Sequence, residues 1–223
     1  MSLYYDGIDS NEIKVLSAKG ILRGITTNLT LINNQKKVLN KTRVEILEPL
    51  IELSVKYDIP ISVQLEKNSV SEMIEEASQL KSTYKHVPKL YLKVPVDFEK
   101  LEVISKLSNE KILVNATAIT AWPQAQLAAE AGASIVSFFW GKMSDQGIDP
   151  YDHVYKFTKW KNDNNFANVV TLVGSIRQVS TMYSAFDAGA NIVTTSLINI
   201  KKFVDQLTSM DANNIFQQTN IPG

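Results

Sequence analysis

Cysteine is absent from this chain of 223 residues, which excludes both a disulfide framework and thiolate chemistry. Histidine is nearly absent. His86 and His153 stand far apart and in no ligand-like spacing, so each reads as a surface or loop residue rather than a metal ligand. Net charge is missing as well: 23 Lys and Arg balance 23 Asp and Glu. No overall basic bias therefore points to a nucleic-acid partner. No apolar run approaches the roughly 20 residues of a membrane span, so no membrane partner is expected. The opening residues Met1-Ser2-Leu3-Tyr4-Tyr5-Asp6 lack the basic-then-apolar pattern of a secretory signal. A cytoplasmic location is the expectation, and the missing cysteines are compatible with it. Also missing are a G-x-G-x-x-G after the first strand-like segment and a G-x-x-x-x-G-K-[ST] loop, which argues against nucleotide-binding folds.

What is present is an ordinary globular profile, 44% hydrophobic and 21% charged, on a chain long enough to bury a substantial core. Strand-like and helix-like segments alternate throughout. The strands fall at 2–5, 22–27, 60–65, 89–96, 111–118, 134–140, 168–173 and 191–195. Between them, helical patterns cover about 10–18, 42–57, 69–84, 97–107, 123–131, 151–161 and 179–188, with 198–207 and a shorter segment near 212–218 closing the chain. Residues 28–40 read as a polar connection rich in Asn and Lys, Pro49 should bend or break the helix it sits in, and 141–150 is the best candidate for a mobile loop. Alternation of this kind predicts an α/β fold, a small (β/α)8 TIM barrel with a C-terminal helical extension, read as a single domain over 1–223. An open doubly wound sheet is the alternative.

One strand carries an anomaly. Leu90, Tyr91, Leu92, Val94 and Val96 form a nearly continuous apolar run, as a parallel strand covered on both faces would, and Lys93 stands in its middle. A buried ammonium is costly, so such a lysine is paired, or made neutral by a lowered pKa. A neutral lysine is a nucleophile toward carbonyls, the starting point of Schiff-base chemistry. The competing reading is a lysine at a strand end whose head snorkels to water, since Pro95 marks the ladder's end.

In a barrel of this type the active site lies at the C-terminal ends of the strands. Taking each predicted strand to its end collects Asp6, then Thr26, Thr27 and Asn28, then Gln64, Lys93, Asn115 with Thr117, Ser137 with Phe139 and Lys142, and Ser175 with Arg177. Polar groups at seven strand ends around a strand lysine mark a site. Several of these residues also have plainer readings. Thr26 and Thr27 are good β-formers, Phe138, Phe139 and Trp140 suit a core or rim, Gln64 could be only a satisfied polar residue, and Lys142 could be a solvated loop charge. The acidic face Glu72, Glu75 and Glu76 reads as solvent-exposed.

The sequence resembles the short-chain branch of the transaldolase and fructose-6-phosphate aldolase family. The resemblance rests on Gly24-Ile25-Thr26-Thr27-Asn28-Leu29-Thr30-Leu31-Ile32 and on Leu92-Lys93-Val94-Pro95-Val96, with Leu3-Tyr4-Tyr5-Asp6, Asn115-Ala116-Thr117, Ser137-Phe138-Phe139-Trp140-Gly141-Lys142 and Val173-Gly174-Ser175-Ile176-Arg177 in the family's order and spacing. It implies that Lys93 forms an imine with a ketose donor and that Asp6 handles protons in the donor pocket. By the same resemblance Asn28 and Asn115 bond donor hydroxyls, Thr117 orients a catalytic water, and Ser175 and Arg177 hold a substrate phosphate. Thr27, Gln64, Ser137, Phe139 and Lys142 complete the implied site. No metal and no cofactor is implied; the implied partners are sugar phosphates and further copies of the chain, in a pentamer or decamer assembled through a terminal segment from Asp211.

The departures pull in different directions. Leu29 replaces the proline usual after Thr-Thr-Asn, and Lys142 stands where the family has a second phosphate-binding arginine. Gln64 replaces the transaldolases' glutamate and matches the fructose-6-phosphate aldolases, whereas Phe139, Asn115 and Arg177 resemble the transaldolases. A transaldolase transferring a dihydroxyacetone unit is the first expectation. A fructose-6-phosphate aldolase releasing dihydroxyacetone and a barrel that binds sugar phosphates without turnover are the alternatives.

Overall fold

The computed structural model of the protein describes residues 1–205. Eight parallel strands close on themselves in sequence order: β1 (Ser2–Asp6), β2 (Ile25–Thr26), β3 (Ile61–Gln64), β4 (Leu90–Pro95), β5 (Leu113–Ile119), β6 (Ile135–Phe139), β7 (Val170–Gly174) and β8 (Ile192–Thr195), with β8 pairing back to β1. Helices α1 (Ser10–Ala18), α2 (Leu29–Leu39), α3 (Arg43–Lys56), α4 (Val70–Thr83), α5 (Lys100–Asn109), α6 (Trp122–Glu130), α7 (Trp140–Asp145), α8 (Pro150–Asp163), α9 (Val179–Asp187) and α10 (Leu197–Asp205) lie between and after them. This is the expected (β/α)8 barrel, not an open sheet. The terminal segments expected near 206–207, 212–218 and from Asp211 lie outside the described residues.

Alternation along each strand sorts the barrel into layers. One parity of residues (Leu92, Val94, Val114, Val136, Phe138, Val173, Val193) packs outward against the helices and is fully buried there. The other parity points to the axis. At the N-terminal end it supplies a plug of Tyr4, Ile135, Leu172 and Ile192 with Tyr91 packed against it. Higher up it turns polar: Thr26, Ser62, Asn115, Ser137 and Thr194 are all buried. The apolar plug fills the barrel axis at its N-terminal end, and the polar layer lies toward the C-terminal end.

Helix starts follow local chemistry. Asp9, Asn28, Thr42 and Ser69 each accept a backbone N–H at the start of a helix, and Thr42 with Glu45 completes a reciprocal capping box. Four expectations need correction. Residues 28–40 hold a helix, α2, capped by Asn28; Ile32 is its one buried residue, so its solvent face makes it read as a loop. The second strand is two residues long, Ile25–Thr26, instead of six. α3 runs through Pro49 without a break, because Pro49 and the Glu45 carbonyl it strands both lie on the exposed side, where water replaces the lost bond. The loop expected at 141–150 is largely α7, followed by a short turn into α8, whose first residue is Pro150.

The acidic face of α4 is a fifth correction. Glu76 is buried at 9% exposure, and its carboxylate accepts from the Glu66 and Lys67 N–H groups at 2.9–3.0 Å and from Arg43 at 2.5 Å. Arg43 also donates to the Gln64 carbonyl. This buried ion pair ties the start of α3 and the middle of α4 to the end of β3.

Candidate active site

A cavity of about 550 Å³ opens at the C-terminal face of the barrel, a size suited to a small ligand. Of the residues expected there, Asp6, Asn28, Gln64, Lys93, Thr117, Ser137, Phe139, Lys142 and Ser175 line it. Thr27, Asn115 and Arg177 do not line it.

Lys93 points inward from β4, level with Gln64 on β3 and Asn115 on β5. It is 5% exposed, which removes the snorkelling reading. Its Nζ donates to the Thr27 carbonyl at 2.9 Å. Burial drives its pKa below that of an ordinary lysine, while the charge of Asp6 opposes the shift. The result is an amine whose neutral form is favoured by desolvation inside a cavity. Thr27 serves the site through its backbone; its hydroxyl is turned away to the Ser62 carbonyl at 3.1 Å.

Asp6 ends β1 and is held from one side. Thr26 Oγ1 donates to Asp6 Oδ1 at 2.9 Å, and Thr26 and Thr194 hydroxyls lie 2.7 Å apart. With Thr26 donating to the carboxylate, Thr194 is the donor to Thr26. The chain of hydroxyls holds Asp6 as an acceptor at the cavity wall. Below it, Asn115 forms a second network: Nδ2 donates to Ser62 Oγ at 3.2 Å and Oδ1 accepts from Ser137 Oγ at 2.6 Å. Asn115 is fully buried and spent on barrel residues, so it supports the floor of the site.

Thr117 is aimed by an irregularity in β5. The register with β6 shifts between Ala116 and Ile119, and Ala118 takes the left-handed conformation (φ 62°). Such a bulge re-aims the neighbouring side chain. Thr117 is 1% exposed, lines the cavity, and its Oγ1 is buried without a hydrogen-bond partner among the described residues. A buried hydroxyl left open in a cavity fits a bound water or substrate hydroxyl. Asn28 is similarly half-committed: Oδ1 accepts the Leu31 N–H at 2.9 Å, which leaves its amide nitrogen for a ligand.

At the opposite rim, β7 ends at Gly174 and Ser175 follows in the left-handed region (φ 59°). α7 presses against this turn: the Gly141 N–H donates to the Ser175 carbonyl at 3.1 Å. A β-carbon at Gly141 would lie 2.5 Å from that oxygen, so only glycine fits. Lys142, next in α7, reaches the cavity. Arg177 is exposed, and both of its terminal nitrogens donate to the Asp145 carboxylate.

Sequence reasoning found the eighth strand but missed the polar residues at its end. Thr194, Thr195 and Ser196 line the cavity beside Asp6, yet threonines in a strand pass as β-formers. A reading that followed all eight strand ends would have found them. Leu29, Thr30 and Leu31 also line it, because α2 begins at the rim. Among the described residues no group of His, Cys, Asp and Glu is placed to hold a metal ion. No helix among them is long and apolar enough to cross a membrane.

Comparison with known proteins agrees with this geometry. Residues 3–221 match the family described as Transaldolase/Fructose-6-phosphate aldolase. Relatives named "Probable transaldolase" include one from Caldicellulosiruptor saccharolyticus, 32% identical over 93% of this chain and 89% of its own. Another, from Chelativorans sp., is 32% identical over 92% of this chain and 89% of its own. A third, from Prosthecochloris aestuarii, is 33% identical over 92% and 90%.

Proposed function

This chain belongs to the transaldolase/fructose-6-phosphate aldolase family, and we propose that it is a transaldolase, moving a dihydroxyacetone unit from a ketose phosphate to an aldose phosphate through an imine on Lys93. The ketose is fructose 6-phosphate or sedoheptulose 7-phosphate, and the setting is pentose phosphate metabolism in the cytoplasm. The observation that carries the reading is Lys93 itself: a desolvated lysine inside the cavity, with a carboxylate near enough to act on its charge.

The neutral amine adds to the ketose carbonyl, and the resulting carbinolamine loses water to give a protonated imine. Asp6 takes the proton from the hydroxyl on the carbon beyond the bond to be broken. The C–C bonding pair then flows to the iminium nitrogen, an aldehyde leaves, and an enamine stays on Lys93. The enamine attacks an acceptor aldehyde, Asp6 returns the proton to the new alkoxide, and water hydrolyses the imine. Thr117 is suited to position that water, because its hydroxyl has no other partner among the described residues. Asn28 supplies a donor toward the sugar hydroxyls, and Ser137, whose own proton goes to Asn115 Oδ1, offers them an acceptor. Ser175, Lys142 and Arg177 serve the phosphate end.

A second reading is favoured by Gln64, which lines the cavity level with Lys93. A glutamine there resembles the fructose-6-phosphate aldolases, which release free dihydroxyacetone. Phe139 in the same cavity favours transfer, since no phenol is available to assist the water. Borohydride reduction in the presence of fructose 6-phosphate, followed by peptide mass mapping, tests the imine: the expected adduct is on Lys93. No adduct on Lys93 under conditions of substrate binding would leave a barrel that binds sugar phosphates without turnover. Release of dihydroxyacetone is then compared with and without erythrose 4-phosphate. Little release without the acceptor and rapid turnover with it is the expected outcome; ready release without it marks the aldolase.

A further inference from the structure

The guanidinium of Arg177 is already occupied. Its two terminal nitrogens donate to the two oxygens of Asp145, the last residue of α7. The pairing is set up by the fold. Gly141 lets α7 rest on the β7 end, where a β-carbon would come within 2.9 Å of Arg177 Nε, and Asp145 follows Lys142 by three residues on the same helix face. Arg177 pulls the Asp145 carboxyl below its ordinary pKa, and Lys142 lowers it further, so this is a standing carboxylate. Three charges therefore share the rim beside Ser175: two cations and one anion.

A carboxylate and a phosphate monoester satisfy an arginine fork in the same bidentate way. They cannot both hold it. We propose that Asp145 is a specificity-determining residue, an internal competitor that occupies the Arg177 fork and must be displaced by the phosphate of a sugar phosphate. The inference rests on the reading above that Arg177 serves the phosphate end of the substrate. With Asp145 in place, Lys142 is the cation that faces the cavity, a point charge without the fork's geometry. Phosphorylated substrates are then bound less tightly than two free cations would allow, and discrimination against unphosphorylated sugars is reduced.

The test uses D145N, D145S and D145N/R177Q, each first checked for a cooperative melt. KM is measured for fructose 6-phosphate and for fructose, and binding of inorganic phosphate is measured by calorimetry. Removing the competitor is expected to lower the ratio of the two KM values roughly three- to ten-fold, as for release of a partly exposed bidentate pair, and to tighten phosphate binding by a similar factor. The double variant is expected to lose both gains. An unchanged ratio and unchanged phosphate affinity in whichever single variant folds overturns the proposal, as do gains that persist in the double variant. If neither sugar is turned over, the family-based activity fails separately, and phosphate calorimetry alone decides: tighter binding in D145N sustains the competition and equal binding rejects it.

Discussion

The ammonium of Lys93 has one hydrogen bond among the described residues, to the Thr27 carbonyl, and no carboxylate in contact with it. Catalytic use and folding stability therefore pull against each other at this residue. Desolvation lowers its pKa, and Asp6 recovers part of the loss. The imine-forming amine should become available at a pH where an ordinary lysine, near about 10.4, is still protonated. The trapping rate is expected to rise with pH through that lowered pKa and then level off. The same shift affects stability with a definite sign. Between the folded and unfolded pKa values the unfolded chain binds more protons, so stability rises with pH across that window. The penalty of the buried charge is full below the folded pKa. Lys93→Met should abolish trapping while gaining stability over the parent. That gain should be largest below the folded pKa and shrink as pH rises toward 10.4, as followed by denaturant melts across pH. A gain that does not change with pH would mean that the charge of Lys93 is not what the fold pays for.

At the scale of elements, the rim is held by contacts that leave little trace in the sequence. The Glu76 carboxylate, with two backbone N–H groups and Arg43, fixes the turn after β3 that carries Gln64. Without Glu76 the Glu66 and Lys67 N–H groups lose their acceptor and Arg43 keeps only a longer contact to the Glu66 carboxylate at 3.4 Å, so Glu76→Ala should cost about 3 kcal/mol in a urea titration. It should also raise KM, since Arg43 would lose the partner that aims it at the Gln64 carbonyl. Glu72, Glu75 and Glu76 look alike in sequence, and only the helix phase decides that Glu76 faces Arg43 from α3, which lies 33 residues away. The same limit hides α2, whose one buried residue, Ile32, gives no periodicity to read. It also hides Asp145, whose meaning depends on Arg177 from the loop after β7. By contrast the barrel itself is legible from eight alternating segments, and Lys93 from its misplacement in an apolar run. Asn115 and Thr27 were legible as site residues but not in their manner: one is spent on Ser62 and Ser137, the other acts through its carbonyl. Strand parity is written in sequence; partners across the barrel are not.

Across the whole molecule the described residues include two buried lysines, Lys93 and Lys161, one toward each end of the strands, and the fold uses them differently. Lys161, at 3% exposure, reaches from α8 to the N-terminal end of the barrel and donates to the Val169 carbonyl at 2.6 Å and to Asn191 Oδ1 at 2.9 Å. Asn191 Oδ1 also accepts the Thr171 N–H at 2.8 Å, and its carbonyl accepts the Ser2 N–H at 2.9 Å. One side chain thus ties α8 to β7, to the start of β8 and, through Asn191, to β1, where the barrel closes. Burial lowers the Lys161 pKa as it does that of Lys93, so a shifted lysine alone does not mark an active site. What separates them is surroundings: Lys161 meets carbonyl oxygens that accept its protons, whereas Lys93 faces a cavity with Asp6 and an unpartnered Thr117 hydroxyl. In a barrel of this type the C-terminal face does chemistry and the N-terminal face holds the fold. Lys161→Met leaves the Val169 carbonyl without its donor and should cost about 1–3 kcal/mol. Its trapping rate on Lys93, measured well below the melting transition, should match the parent's. The two methionine variants are expected to be opposites, one stable and without an adduct, the other less stable and still trapped. A Lys161→Met protein that melts normally but traps poorly would mean that the two ends of the barrel are coupled and that the closure at β8–β1 helps to place Asp6.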